Sequence, residues 1–305
     1  MRHRYSALTA LLALILLAAC QPAAPRNTGS LSVLATTSIV ADVVRQVGGE
    51  SIEVTTLLPL GADPHSFQPA PRDMALVADA SVIFANGAGL EEFLEPLIDN
   101  AGATARVIEV SGGIVLLDAA AEGAESGDGY SGDPHTWVDP NNVLVWVENI
   151  RAALTSLEPE RADEFQRNAD RYAAELRALD TWVRQQVESI PPENRILVTD
   201  HLVYGYFAER YGFTQVGALI PGFSTISSPS AQELAKIEND IRAYKVKAIF
   251  IGESVTPALG QRVAEDTGVQ LVKLYHASLS EPDGDAPTYL DMIRYNVSAI
   301  TTALK

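Results

Sequence analysis

The sequence predicts an α/β fold of two lobes with parallel sheets, joined by one long rigid helix. Short β-branched runs alternate with amphipathic stretches, the pattern of repeated strand-helix-strand units. The alternation occurs twice, and the longest helical pattern in the chain separates the two series. With 305 residues and 47% hydrophobic content, the chain can bury a substantial core.

Residues 1–19 carry Arg2 and Arg4 and then an apolar run from Ala7 to Ala19, too short to span a bilayer and of the form of a secretion signal. The segment closes on Leu17-Ala18-Ala19-Cys20, which resembles a bacterial lipobox, so Cys20 is expected to become a lipid-modified N-terminus. It is the only cysteine, which excludes an internal disulfide. Residues 20–30, rich in Pro, Ala and polar side chains, are expected to tether the lipid to the folded part.

The N-terminal lobe is assigned to residues 31–158, with strands expected at 31–36, 52–58, 81–86 and 106–110 and helices between them. A single helix is expected over 159–190, because Pro159 suits a first helical turn and Pro191-Pro192 stops it. Phe165, Ala169, Tyr172, Leu176, Leu179, Val183 and Val187 recur at three- and four-residue spacings, which buries one face. At 1.5 Å per residue this helix would run about 45 Å, longer than one small lobe needs. It reads as a strut that joins the lobes and opposes wide closure. The C-terminal lobe, residues 191–305, repeats the first pattern, with strands expected at 195–199, 215–218, 248–252 and 269–274 and helices at 230–244 and 256–267.

The formal charge is −17, and loss of Arg2 and Arg4 with the signal makes it −19. Without Lys/Arg clusters, such a chain has no electrostatic grip on nucleic acid or anionic lipid. Membrane contact is expected through the anchor alone, and the protein is expected to be a monomer.

Four of the five histidines lie beyond the signal, and three are placed like ligands: His65 in Asp63-Pro64-His65, His135 in Asp133-Pro134-His135, and His201 in Thr199-Asp200-His201. Proline fixes its own φ and keeps the preceding residue extended, so the first two imidazoles are presented from stiff turns. Stiff imidazoles from distant segments suggest a metal site. Asp63, Asp133 and Asp200 are placed either to accept the other ring N–H or to form the turn itself.

At the level of longer stretches, residues 58–69, Asn86-Gly87-Ala88-Gly89-Leu90-Glu91, Asp133-Pro134-His135-Thr136-Trp137-Val138-Asp139-Pro140, residues 199–212 and Pro287-Thr288-Tyr289-Leu290-Asp291-Met292 with Asn296 resemble the extracytoplasmic binding proteins of zinc and manganese ABC importers. The similarity covers nearly all of the chain after the signal, in order. It implies two α/β lobes bridged by a long helix, an ion in the cleft between them, and an ABC permease in the cytoplasmic membrane as partner. It also implies His65 and His135 from the first lobe and His201 from the second as metal ligands. In manganese-selective relatives the third position is often glutamate. Three nitrogen donors suit Zn(II), which binds imidazole at about 2.0–2.1 Å, whereas Mn(II) prefers more oxygen. Zn(II) is therefore expected as the transported ion, with Mn(II) as the alternative.

The fourth ligand departs from the family pattern. Relatives usually place an aspartate before Ser-Leu in the last strand-to-helix loop, but Tyr275-His276-Ala277-Ser278-Leu279 has Ala277 there. His276, one residue away, is expected to take the aspartate's place, with water, Glu253, Asp283 or Asp285 as substitutes. His201 is expected at the start of a helix over 202–210, whose positive end would keep the ring neutral. The loop between Leu117 and Asp133 carries Asp118, Glu122, Glu125 and Asp128 where zinc-specific relatives often have histidines, so loop-mediated capture is not expected.

Gly87-Ala88-Gly89 lacks the third glycine of a dinucleotide fingerprint, Glu92 standing in its place. Tyr204, Tyr206, Phe207 and Tyr211 fit core packing better than ligand stacking. A zinc hydrolase would need an open metal position and a general base. Neither His-Glu-x-x-His nor Gly-x-Ser-x-Gly is present, so no enzyme is expected. A surface-adhesin role is compatible with the anchor, though no residue pattern requires it.

Overall fold

A computed structural model describes residues 31–118, 132–253 and 257–305. The signal segment, Cys20, the tether and the acidic residues Glu122, Glu125 and Asp128 lie outside the described residues. Residues 31–305 form one compact unit.

The first half runs β1 (Ser32–Ala35), α1 (Ser38–Gly48), β2 (Glu53–Thr56), α2 (Pro71–Asp79), β3 (Val82–Ala85), α3 (Leu94–Ala101) and β4 (Arg106–Glu109). Its four strands are parallel in the order β2-β1-β3-β4, with Val33 paired to both Val54 and Val82. Then come α4 (Pro140–Leu157) and the long α5 (Ala162–Glu188). The second half runs β5 (Ile196–Thr199), α6 (Gly205–Tyr211), β6 (Thr214–Ala218), α7 (Ala231–Ala243), β7 (Ala248–Gly252), α8 (Ala258–Thr267), β8 (Gln270–Leu274) and α9 (Tyr289–Leu304). Its strands repeat the same parallel order, β6-β5-β7-β8.

Each of the eight expected strands is present, most of them a residue or two shorter than the β-branched run. The ends of those runs serve instead as strand-to-helix corners. Thr36-Thr37 illustrates this: Thr37 caps α1 by accepting the amide hydrogen of Val40.

Helix α5 is 27 residues long, about 40 Å, and is preceded by a short 3-10 turn over Pro159–Arg161. Its buried residues are Phe165, Ala169, Tyr172, Leu176, Leu179, Val183 and Val187, the apolar stripe visible in the sequence. That stripe packs on α1, α4 and α9, so the helix touches elements of both halves. The resulting core is continuous from Val33 and Ile39 through Trp146 and Tyr172 to Phe250 and Ile300. Two smaller cores lie on the outer faces of the sheets, one under α2 and α3 around Leu57 and Ile83, the other under α7 and α8 around Ile249 and Val263. The long helix joins the two lobes, as expected, and is also the middle layer of the core they share.

In both sheets the chain leaves its first strand to one side and returns on the other, so a crevice opens beyond the carboxyl ends of β1/β3 and of β5/β7. At the end of β3, Gly87, Ala88 and Gly89 all have positive φ. The buried Glu91 carboxylate accepts the amide hydrogens of Asn86 and Gly87 and the hydroxyl of Thr36. A side chain thus occupies the amide donors that a phosphate would use, which removes the dinucleotide reading physically.

Candidate metal centre

His65 follows β2 in a turn closed by Asp63, which accepts the His65 amide at 3.0 Å and the Ser66 hydroxyl at 3.1 Å. His135 sits beyond β4, and Asp133 Oδ1 accepts both its amide at 2.8 Å and its Nδ1–H at 2.7 Å. Asp200 and His201 directly follow β5, where Asp200 Oδ1 accepts the His201 amide at 2.7 Å and its Nδ1–H at 2.8 Å. The carboxylates therefore both shape the turns and hold the rings. With Nδ1 protonated against an aspartate, each of His135 and His201 presents a bare Nε2 lone pair.

Those two nitrogens meet a third. His65 Nε2 lies 3.1 Å from His135 Nε2, which lies 3.2 Å from His201 Nε2. The bare nitrogens of His135 and His201, 3.2 Å apart, repel unless a cation lies between them. Nitrogens bound at 2.0–2.1 Å around a tetrahedral ion would be about 3.3–3.4 Å apart, close to what is found. Among the described residues, His65, His135 and His201 form one group able to hold an ion, and Asp200, His201 and His276 form another.

Burial tunes the rings. His135 and His201 are buried, while His65 keeps a partly open edge. Desolvation, with the charge of His201 adding to it, pushes His65 down to about 3. Desolvation also holds His135 well below the usual imidazole range, with His201 and His65 contributing. Neutral rings are the metal-binding form.

His276 does not join the three-ring group. Its Nε2–H donates to Asp200 Oδ2 at 3.0 Å, so it faces the carboxylate that orients His201. Burial opposes charge on this ring, but Asp200, helped by Glu253 and Asp63, outweighs it and raises His276 to about 9. Burial alone would raise Asp200, yet the neighbouring His276 and His201 hold it well below the carboxylate range. Glu253 is directed at backbone, accepting the amides of His276 at 3.1 Å and Ser278 at 2.8 Å. Asp283 and Asp285 are exposed and belong to neither group.

The expected helix over 202–210 begins only at Gly205. The Leu202 amide bonds Gly222 O and the Val203 amide bonds His201 O, so the backbone after His201 is committed to a loop contact before it can coil. A seven-residue helix starting four positions later exerts no useful dipole on His201, and Asp200 fixes that ring instead.

Aromatic walls close the site. Trp137 lies edge-on to His135 at 5.2 Å and donates its indole N–H to His276 O, joining the two halves. Phe223, from the loop after β6, packs 6.1 Å from His135, and Thr225 of the same loop donates to Asp63. Tyr204, Tyr206, Phe207 and Tyr211 are buried as core, and the Tyr206 hydroxyl also donates to Asp133 O at 2.8 Å. The Asp200–His276 pair and the Thr225 contact carried no signal in the sequence, since both depend on which loops the sheet order places side by side.

Two doubly wound sheets sharing a core, with imidazoles from both turned on one point, define a class: substrate-binding proteins whose substrate is a metal ion. Residues 33–303 match the family described as zinc-uptake complex component A, periplasmic, and the chain belongs to that family. It is 33% identical over 275 residues to the manganese-binding lipoprotein MntA of Halalkalibacterium halodurans, covering 90% of this chain and 88% of that one. The fold is similar to that of a Mn-bound periplasmic metal binding protein from Candidatus Liberibacter asiaticus, with a TM-score of 0.78, 32% identity and coverage of 90% and 99%. It is similar also to the periplasmic zinc binding protein TroA from Treponema pallidum, with a TM-score of 0.81, 27% identity and the same coverage. The protein is a metal-binding, substrate-binding component of an ABC importer, not an enzyme.

Proposed function

We propose that this protein captures Zn(II) outside the cytoplasm and hands it to an ABC permease, with His65, His135 and His201 as ligands. The observation that supports this most strongly is the approach of three Nε2 atoms to 3.1 and 3.2 Å, two of them held by buried aspartates in the tautomer that binds metal. Ala277 stands where relatives supply a carboxylate, so the set is rich in nitrogen and favours zinc over manganese. Asp133, across the His135 ring from the ion, offsets part of its charge, while the charge of Asp200 is shared with His276. A nanomolar scavenger needs about 12 kcal/mol of binding free energy, within reach of preorganised imidazoles.

The reading carries its chain organisation with it. Residues 1–19 direct export, Cys20 bears the lipid, and residues 20–30 let the folded body reach a permease from the outer face of the cytoplasmic membrane. The lobes 31–158 and 191–305 flank the helix region 159–190, and the protein works as a monomer. No helix among the described residues is long and apolar enough to cross a membrane, so the lipid supplies the membrane contact in this reading.

Manganese is the second reading, because the Halalkalibacterium and Liberibacter proteins are described as manganese-binding or manganese-bound. Metal content of protein purified without chelators, followed by Zn(II)/Mn(II) competition, separates the two. The expected result is one zinc per chain that excess manganese does not displace. Manganese binding as tight as zinc would overturn the selectivity.

A further inference from the structure

We propose that His276 is a positioning residue for the metal site: it clamps Asp200 so that Asp200 aims His201 at the ion, and it is not itself a ligand. The inference rests on the three-histidine reading above and deepens it.

Asp200 is a buried carboxylate with a divided role. Oδ1 takes the amide and Nδ1–H of His201, while Oδ2 takes the amide of Gly252 at 2.6 Å and Nε2–H of His276 at 3.0 Å. Fixing Oδ2 from two directions fixes the carboxylate plane, and through it the His201 ring. The pairing occupies His276 Nε2 and turns that side of the ring to Asp200 rather than to the three-nitrogen group, while Nδ1 is buried without a hydrogen-bond partner among the described residues.

The loop that bears His276 is held on several sides. Tyr275 exchanges hydrogen bonds with the Asn296 side chain, Glu253 takes the amides of His276 and Ser278, and Trp137 donates to His276 O. The Leu279 amide donates to Ser38 Oγ. Space for the ring is reserved as well: a Cβ at Gly252 would lie 2.1 Å from His276 Nε2. Bringing this ring to the three-nitrogen centre would mean giving up a seat that several elements are built to provide. Ala277 removed the family's carboxylate donor, and the adjacent histidine supports the remaining donors from behind. Among the described residues, no fourth side chain belongs to the His65, His135, His201 group, so the ion's remaining position is left for a small exogenous donor such as water.

The test compares full-length wild type with His276→Gln, His276→Ala and Gly252→Ala, using zinc affinity and the visible spectrum of the Co(II)-loaded protein. A glutamine amide can still donate to Asp200 but offers no imidazole. Expected are a zinc Kd for His276→Gln within about threefold of wild type, an unchanged Co(II) spectrum, and a loss of about 10- to 100-fold for His276→Ala and Gly252→Ala, the usual effect of removing a ligand's orienting partner. Equal loss in Gln and Ala variants, or shifted Co(II) bands in His276→Gln, makes His276 a ligand and overturns the proposal. Wild-type affinity in all three variants overturns it too. Should His276→Ala fail to fold, His276→Gln and Gly252→Ala decide together: wild-type affinity in the first with a loss in the second supports the clamp, and wild-type affinity in both overturns it. Wild type that binds no zinc removes the three-histidine reading itself, a different failure from any variant result.

Discussion

At the residue scale, burial holds His65 and His135 in the neutral form that metal binding needs. An ordinary histidine titrates near 6.5, so from sequence alone zinc affinity should fall steeply below that pH. Burial changes the expectation, because His65 is pushed down to about 3 and His135 well below its usual range. Their depressed folded values mean that protons compete only in stronger acid. Zinc Kd should therefore rise by no more than about tenfold between pH 7.5 and 5.5. A rise of about a thousandfold, tenfold for each of three rings near 6.5, would show that the rings are open to protons. Near-constant affinity over this interval is thus no sign of oxygen ligands here. The three histidines were legible because each follows an aspartate at short range, and short-range turns are written in sequence. The partner of His276 was not legible, since Asp200 and His276 are 76 positions apart and meet only through sheet order.

At the element scale, the strands and the long helix were legible because period-two and three-to-four spacings are local signals. All seven residues of the predicted stripe on α5 are buried. The start of α6 was not legible: the amides after His201 are taken by Gly222 O and a tight turn, which is tertiary information. Helix α5 contributes through its stripe rather than its length. Leu179→Ala should lower the unfolding free energy of the metal-free protein by about 2–5 kcal/mol, whereas Arg177→Ala on the exposed face should change it by less than about 0.5 kcal/mol. Denaturant unfolding checks this, and equal effects from the two would mean that the helix is not part of the core.

At the scale of the whole molecule, the two halves share one hydrophobic core and are joined by polar contacts as well. Tyr289 donates its amide to Asp42 and its hydroxyl to Trp137 O, and the Gly61 amide donates to Ser278 Oγ. Such a body has little room to open and shut as two rigid shells, because its core is shared. Solution scattering should give the same radius of gyration with and without zinc, within error. A clear compaction would show that the halves move as separate domains. Release to a permease then calls for local displacement of a ligand loop, and the partly open His65 turn is the one nearest solvent. The account stands on three imidazoles from both halves sharing one ion. Zinc-edge X-ray absorption of the loaded protein tests this most directly: it should show three imidazoles at about 2.0–2.1 Å with one further light donor, and a shell of oxygen donors with one imidazole or none would contradict it.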